Sequence, residues 1–182
     1  MKIIPTNIND LFIIEPEVFK DDRGWFTESY NKKRLAEAGI EVDFVQNNHS
    51  FTKNKGTIRG LHFQKNPYAQ SKLVRCIKGA ILDVVVDLRK NSPTYKEWLA
   101  VELTADNRKQ LFVPKGFAHG ILTLTDDVEV YYKIDNYYNK ESEGFLHFHD
   151  PEINIDWGID NPILIDRDMN APFLKDCDIN FI

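Results

Sequence analysis

The feature that most restricts this chain is the rhythm of its turns. From Val42 onward, turn clusters such as Asn91-Ser92-Pro93, Asp106-Asn107, Pro114-Lys115-Gly116 and Asp126-Asp127 recur every eight to fifteen residues. Between them lie short runs rich in β-branched and aromatic residues: Phe44–Phe51, Ser71–Ile77, Ala80–Leu88, Trp98–Leu103, Leu111–Pro114, Ala118–Leu124 and Val128–Asp135. Short strands at that spacing pair antiparallel and build a sandwich or barrel. One helix is expected, over Lys32–Ala38, with Asn31 as its N-cap and Gly39 closing it. Ahead of it, Leu11–Val18 reads as extended, Asp21-Asp22-Arg23-Gly24 as a turn and Trp25–Tyr30 as a strand. The tail, Pro151–Ile182, is rich in Pro, Asp and Asn; it is expected to wrap the barrel, with a strand over Ile163–Ile165 and a short helical turn. No repeat or linker divides the 182 residues, so a single domain over 1–182 is expected.

Charge and composition narrow the function. The net charge is -5 and there is no long basic run, which argues against a nucleic-acid partner. No apolar run approaches a membrane span. Met1–Asn7 lacks the apolar core of a signal peptide, and Cys76 and Cys177 form no CxxC pair, so a reduced, cytoplasmic setting is expected.

Within an antiparallel sandwich, the step Pro114-Lys115-Gly116-Phe117-Ala118-His119 points to a jelly roll of the cupin type, whose inward side chains line a cavity. Side-chain alternation then sorts the candidates. Val128, Val130, Tyr132 and Ile134 share the inward face, while Tyr131 faces out among charges. His119 goes inward with Ile121 and Thr123, and Asp83 shares the parity of Ile81, Val85 and Asp87. The stretch Gly56-Thr57-Ile58-Arg59-Gly60-Leu61-His62-Phe63-Gln64 is central. Strict alternation would put Arg59 and His62 on opposite faces; a one-residue slip at Gly60 would bring both to one site.

These residue types favour acid–base chemistry. A metal-binding cupin would place a His-x-His pair here, but the stretch reads His62-Phe63-Gln64, and Gln is a poor transition-metal ligand. His147-Phe148-His149 has the spacing but falls beyond the second motif, so no metal and no cofactor are expected. Nucleophile-elbow and phosphate-loop signatures are absent. His62, Tyr132 and Lys72 are of the types that supply a base, an acid and a charge for a developing anion. Asp168 or Asp83 is of the type that stands behind a histidine and fixes its tautomer.

Arg59-Gly60-Leu61-His62-Phe63-Gln64, Val113–Gly120, Tyr132-Lys133 and Tyr137-Tyr138, in this order, resemble the dTDP-4-dehydrorhamnose 3,5-epimerases. Asp22-Arg23-Gly24, Gln46–Ser50, Lys72–Arg75 and the Asp168 turn extend the resemblance over nearly the whole chain. It implies a metal-free cupin homodimer that exchanges N-terminal strands. It implies His62 as base, assisted by Asp168, Tyr132 as the acid on the other face of the sugar, and Lys72 at the C4 oxygen. It further implies that Arg23, Glu28, Gln46, Asn47, Asn48, Arg59, His119, Glu143 and Arg167 hold a nucleotide 4-keto sugar, with Tyr138 stacked on thymine. The family often has Lys where Arg167 stands, and Trp-Asn-Asp-Pro where this chain reads Phe148-His149-Asp150-Pro151. A single-centre epimerase and a 3,4-ketoisomerase would use similar groups; a sugar-binding cupin or an iron dioxygenase would come from a different class.

Overall fold

The computed structural model describes residues 1–182. Its strands are β1 (Lys2–Pro5), β2 (Phe12–Glu15), β3 (Val18–Asp21), β4 (Gly24–Thr27), β5 (Gln46–Thr52), β6 (Ile58–Gln64) and β7 (Lys72–Lys78). They continue with β8 (Ala80–Asp87), β9 (Trp98–Thr104), β10 (Gln110–Val113), β11 (Phe117–Thr123), β12 (Val128–Ile134) and β13 (Glu143–Phe145). Two short α-helices, α1 (Lys32–Glu37) and α2 (Asp166–Met169), and two 3-10 turns, Lys140–Ser142 and Leu174–Asp176, complete the regular elements. A six-stranded sheet in the order β1-β2-β10-β7-β12-β5 and a five-stranded sheet in the order β13-β6-β11-β8-β9 form a jelly-roll sandwich; β3 and β4 form a separate hairpin. Every ladder is antiparallel.

Packing explains the sequence of β8. Ile81 and Val85 point between the sheets, into a cluster with Val74, Leu111, Phe117, Ile121 and Val130. Val84 and Val86 point the other way and are covered by the tail through Ile153, Ile155, Trp157, Leu174 and Phe181. The strand is therefore apolar on both faces, as a strand buried on both sides must be. Each such aliphatic side chain removed from water contributes about 1.5–3 kcal/mol. The tail is pinned by buried Asp150, whose carboxylate accepts from the backbone N–H groups of Glu152, Ile153 and Leu174. Trp157 adds an indole N–H bond to the Phe148 carbonyl.

The slip at Gly60 is present. His62 lies opposite His119, but Arg59 lies opposite Ile121, so β6 carries one residue more than β11 over this stretch. Both side chains thereby reach the same face. Gly60 has φ +134, and a Cβ there would stand 2.5 Å from the Cα of Gly120. Only glycine fits this backbone and this approach.

Other expectations need correction. The strand over Ile163–Ile165 reduces to one bridge between Thr57 and Ile163. Three strands were not foreseen: β1, an edge strand ending in Pro5; β3, of which only Val18 fell within an expected extended segment; and β13, only three residues long. The Trp25–Tyr30 strand stops at Thr27 and pairs only with β3. Helix α1 forms as expected: the Asn31 side chain accepts from the Arg34 N–H, and Leu35 packs with Ile14, Leu73 and Phe112 on the outer face of the larger sheet. No helix is long and apolar enough to cross a membrane.

Candidate active site

The two sheets present different chemistry to the space between them. On the five-stranded sheet, β6 and β11 place His62 and His119 directly opposite one another in register. On the six-stranded sheet, β7 and β12 pair so that Ile134 lies opposite Lys72 and Tyr132 opposite Val74. Lys72 and Tyr132 are thus two residues apart on adjacent strands, on one face. His62, Lys72 and Tyr132 line both compartments of one cleft. One, of about 150 Å³, is bounded by Gln46, Asn48, Gln70, Tyr138 and Glu143. The other, of about 220 Å³, is bounded by Ser50, Arg59, His119 and Arg167.

His62 is held on two sides. Its Nε2 lies 2.8 Å from Asp168 Oδ1, and Asp168 Oδ2 accepts from the Gly60 backbone N–H at 3.1 Å. The ring meets Phe145 edge-on at 5.5 Å between centroids. Phe145 sits opposite His62 in the β13 ladder, and the Arg167 guanidinium lies over its ring at 4.9 Å from the centroid. Arg167 Nε also donates to Asp168 Oδ1 at 3.1 Å. Arg167 Nη2 stands 3.2 Å from His62 Nε2. A nitrogen that donates to Asp168 cannot also accept from arginine, so that last approach is a contact and not a bond. The tautomer that satisfies the carboxylate carries its proton on Nε2 and leaves Nδ1 as the base.

Charges in the cleft follow from burial and neighbours. Burial works against the charge of Asp168, yet the bond and charge of His62, the Gly60 N–H and Arg167 together pull its carboxyl down to about 2. Burial pushes the Lys72 ammonium down to about 8, with Asp83 pulling the other way. Burial also lowers His119 below the usual imidazole range. It raises the Tyr132 phenol, opposed by Asn48 and by the charge of Arg59.

The second histidine has its own carboxylate. His119 Nε2 lies 2.9 Å from Asp83 Oδ1, so Asp83 stands behind His119 while Asp168 stands behind His62. Gln64, at the position where a metal cupin would offer a ligand, is buried and fully engaged. Its amide N–H groups reach the carbonyls of Tyr68 and Tyr137, and its oxygen accepts from the Asn139 N–H. No three His, Cys, Asp or Glu side chains converge as a metal ion would need; His147 and His149 flank a surface depression next to Trp157.

Three expected substrate contacts lie elsewhere in this chain. Arg23 is at the tip of the β3–β4 hairpin, 90% exposed and paired with Asp21. Glu28 accepts from Asn31 and faces Arg34. Asn47 alternates outward between Gln46 and Asn48 and accepts from Lys133. Phe145, Gln70 and Ser50 were missed. Ser50 shares the parity of Gln46 and Asn48, a signal that was available; Phe145 lies in a strand too short to leave one.

Comparison with known proteins assigns the family. The sequence profile of the dTDP-4-dehydrorhamnose 3,5-epimerases matches residues 5–176. The dTDP-4-dehydrorhamnose 3,5-epimerase of Shigella flexneri is 50% identical over 98% of both chains. The crystal structure of dTDP-4-dehydrorhamnose 3,5-epimerase from Bacillus anthracis, with TDP and PPi bound, superposes with a TM-score of 0.93 at 53% identity, covering 95% of this chain and 99% of that one. The Legionella pneumophila dTDP-6-deoxy-D-glucose-3,5-epimerase in complex with dTDP-4-keto-L-rhamnose gives 0.90 at 43% identity, over 96% and 93%. More distantly, a 3'-monoepimerase from Streptomyces bikiniensis in complex with dTDP-quinovose gives 0.87 at 33% identity, over 94% and 87%. By profile, sequence and fold, the chain belongs to the dTDP-4-dehydrorhamnose 3,5-epimerase family.

Proposed function

We propose that this protein converts dTDP-4-dehydro-6-deoxy-D-glucose to dTDP-4-dehydro-L-rhamnose by inverting C3 and C5 in turn. The observation that carries the reading is the division of labour between the sheets: His62 on one, Lys72 and Tyr132 on the other, all on one cleft. A C4 ketone acidifies the hydrogens on both neighbouring carbons, because the pair released enters the carbonyl as an enolate. His62 Nδ1 takes the proton. The electron pair moves to the C4 oxygen, where the Lys72 ammonium stabilises it, by roughly 3–4 kcal/mol if it acts like one oxyanion-hole donor. Tyr132 returns a proton to the opposite face, and exchange with solvent resets both groups before the second centre reacts. The sum is an isomerisation with no net redox change. Arg59 and Arg167 are suited to the diphosphate, Tyr138 to stacking on the base, and Gln46, Asn48, His119 and Glu143 to the remaining polar groups.

The same reading takes 1–182 as one domain, in the cytoplasm, working as a homodimer with exchanged N-terminal strands. Arg23 and Glu28 miss their own cleft, and Phe19, Trp25 and Phe26 are exposed on the hairpin that carries Arg23. An exchanged hairpin would deliver both residues to the partner's cleft and cover those rings. Sedimentation should give twice the chain mass; a monomer with full activity would exclude the exchange.

The deciding experiment is incubation with dTDP-4-keto-6-deoxyglucose in deuterated water, followed by NMR. The expected product carries deuterium at C3 and at C5. Deuterium at one carbon only, with the other untouched at long times, would move the assignment to a single-centre epimerase. A carbonyl shifted to C3 would make it a ketoisomerase.

A further inference from the structure

Besides Asp168, the fold buries three carboxylates, for which different uses can be read from their bonds. Asp87 accepts from Arg89, Ser92 and Thr94, and Asp150 from three backbone N–H groups; both are saturated and serve the scaffold. Asp83 is as buried as either, at 0% exposed, yet it accepts a single bond, from His119 Nε2, and its Oδ2 has no partner. A buried carboxylate with half of its capacity unused costs stability unless a cation balances it. That cation is one residue further along the same line: Lys72 Nζ lies 3.4 Å from His119 Nδ1, a long, weak bond. With Nε2 protonated towards Asp83, His119 offers Nδ1 as the acceptor, so the three side chains read Asp83, His119, Lys72 from core to cleft.

We propose that Asp83, acting through His119, is a positioning residue that keeps Lys72 an ammonium and aims it at the cleft. The enolate role of Lys72 rests on the proposed reaction; the protonation of Lys72 does not. Burial alone favours the free amine, which could not stabilise an enolate oxygen. The other groups facing Lys72 do not replace Asp83. His62 on β6 is committed to Asp168, Tyr132 on β12 is a phenol held neutral by burial, and Arg59 and Arg167 repel a cation. Glu143 lines the other compartment but makes no ion pair with Lys72, and Asp83 is the carboxylate whose charge favours the Lys72 ammonium.

The test is Asp83→Asn, which keeps the shape and removes the charge. The Lys72 side chain, followed by NMR of ¹³C-lysine-labelled protein without substrate, should lose its proton about one pH unit or more below wild type. The basic limb of the proton-exchange rate should move down with it, leaving activity near pH 6 far less affected than at pH 8. Unmoved titration of Lys72 in a folded variant would overturn the proposal, whatever the substrate proves to be. Should Asp83→Asn fail to fold, the wild type supplies the answer through ¹⁵N NMR of His119. Nε2–H with a bare Nδ1 across neutral pH supports the arrangement, and an Nδ1–H tautomer refutes it.

Discussion

His62 and Asp168 are 106 residues apart in sequence and 2.8 Å apart in space, joined Nε2 to Oδ1. One comes from a sheet strand, the other from a four-residue helix in the tail. Replacing His62 with alanine removes the proton carrier, and exchange of substrate hydrogens should fall by about 10²–10⁴-fold. Asp168→Asn keeps an acceptor for Nε2–H and should lose less. Deuterium exchange at the wild-type rate in His62→Ala would place the base elsewhere.

Tyr132→Phe should separate exchange from inversion. His62 remains, so protons still leave and return on its own face. Product with inverted centres should fall far more than deuterium uptake. An equal loss of both would mean that Tyr132 acts before the enolate forms.

Activity should decline as pH rises through about 8, the value to which burial depresses Lys72. The linked effect on stability has the opposite sign. Because the folded state releases this proton more easily than the unfolded chain, the Lys72 contribution to stability rises between about 8 and the ordinary lysine value near 10.5. Denaturant melts of wild type and Lys72→Met across that window should therefore converge towards high pH. A gap that widens instead would contradict the burial of an ammonium.

Gly60→Ala should destabilise the protein by about 1–3 kcal/mol, because its Cβ meets the Gly120 backbone and its φ is unsuited to alanine. Activity should fall further than stability, since relief of the clash would undo the slip that aligns Arg59 with His62. A thermal melt alongside kcat checks both.

Chelation should leave turnover intact. Gln64, the residue that stands in the ligand position, already spends its amide on Tyr68, Tyr137 and Asn139. Loss of activity in EDTA, restored by zinc, manganese or iron, would reverse this.

Alternation made much of this molecule legible from sequence alone. It separated Tyr132 from Tyr131, which packs outside with Arg75 and His49, and it located the slip at Gly60. The parts that stayed hidden depend on neighbours distant in sequence. β13 has three residues and exists because β6 offers an edge. Ile163–Ile165 has the β-branched composition of a strand but finds only Thr57 to bridge. The pairing of carboxylates was open by residue type for the same reason: only the family resemblance chose Asp168 over Asp83 for His62, and only the packing of β8 against β11 gives Asp83 to His119.

The Asp150 clamp makes loss of function separable from loss of fold. The carboxylate that orients His62 rides on a segment joined to the sandwich by side-chain bonds, apolar contacts, one bridge and single backbone bonds such as His147 N–H to the Pro172 carbonyl, not by a strand ladder. A protease nick between Asp150 and Asp168, or a substitution that frees the Leu174 N–H, could strip the base of its partner while most of the two sheets stays paired. Damage of that kind would escape circular dichroism, which reads strands, and show first in an assay. For a catalyst of this build, specific activity is the more sensitive gauge of ageing.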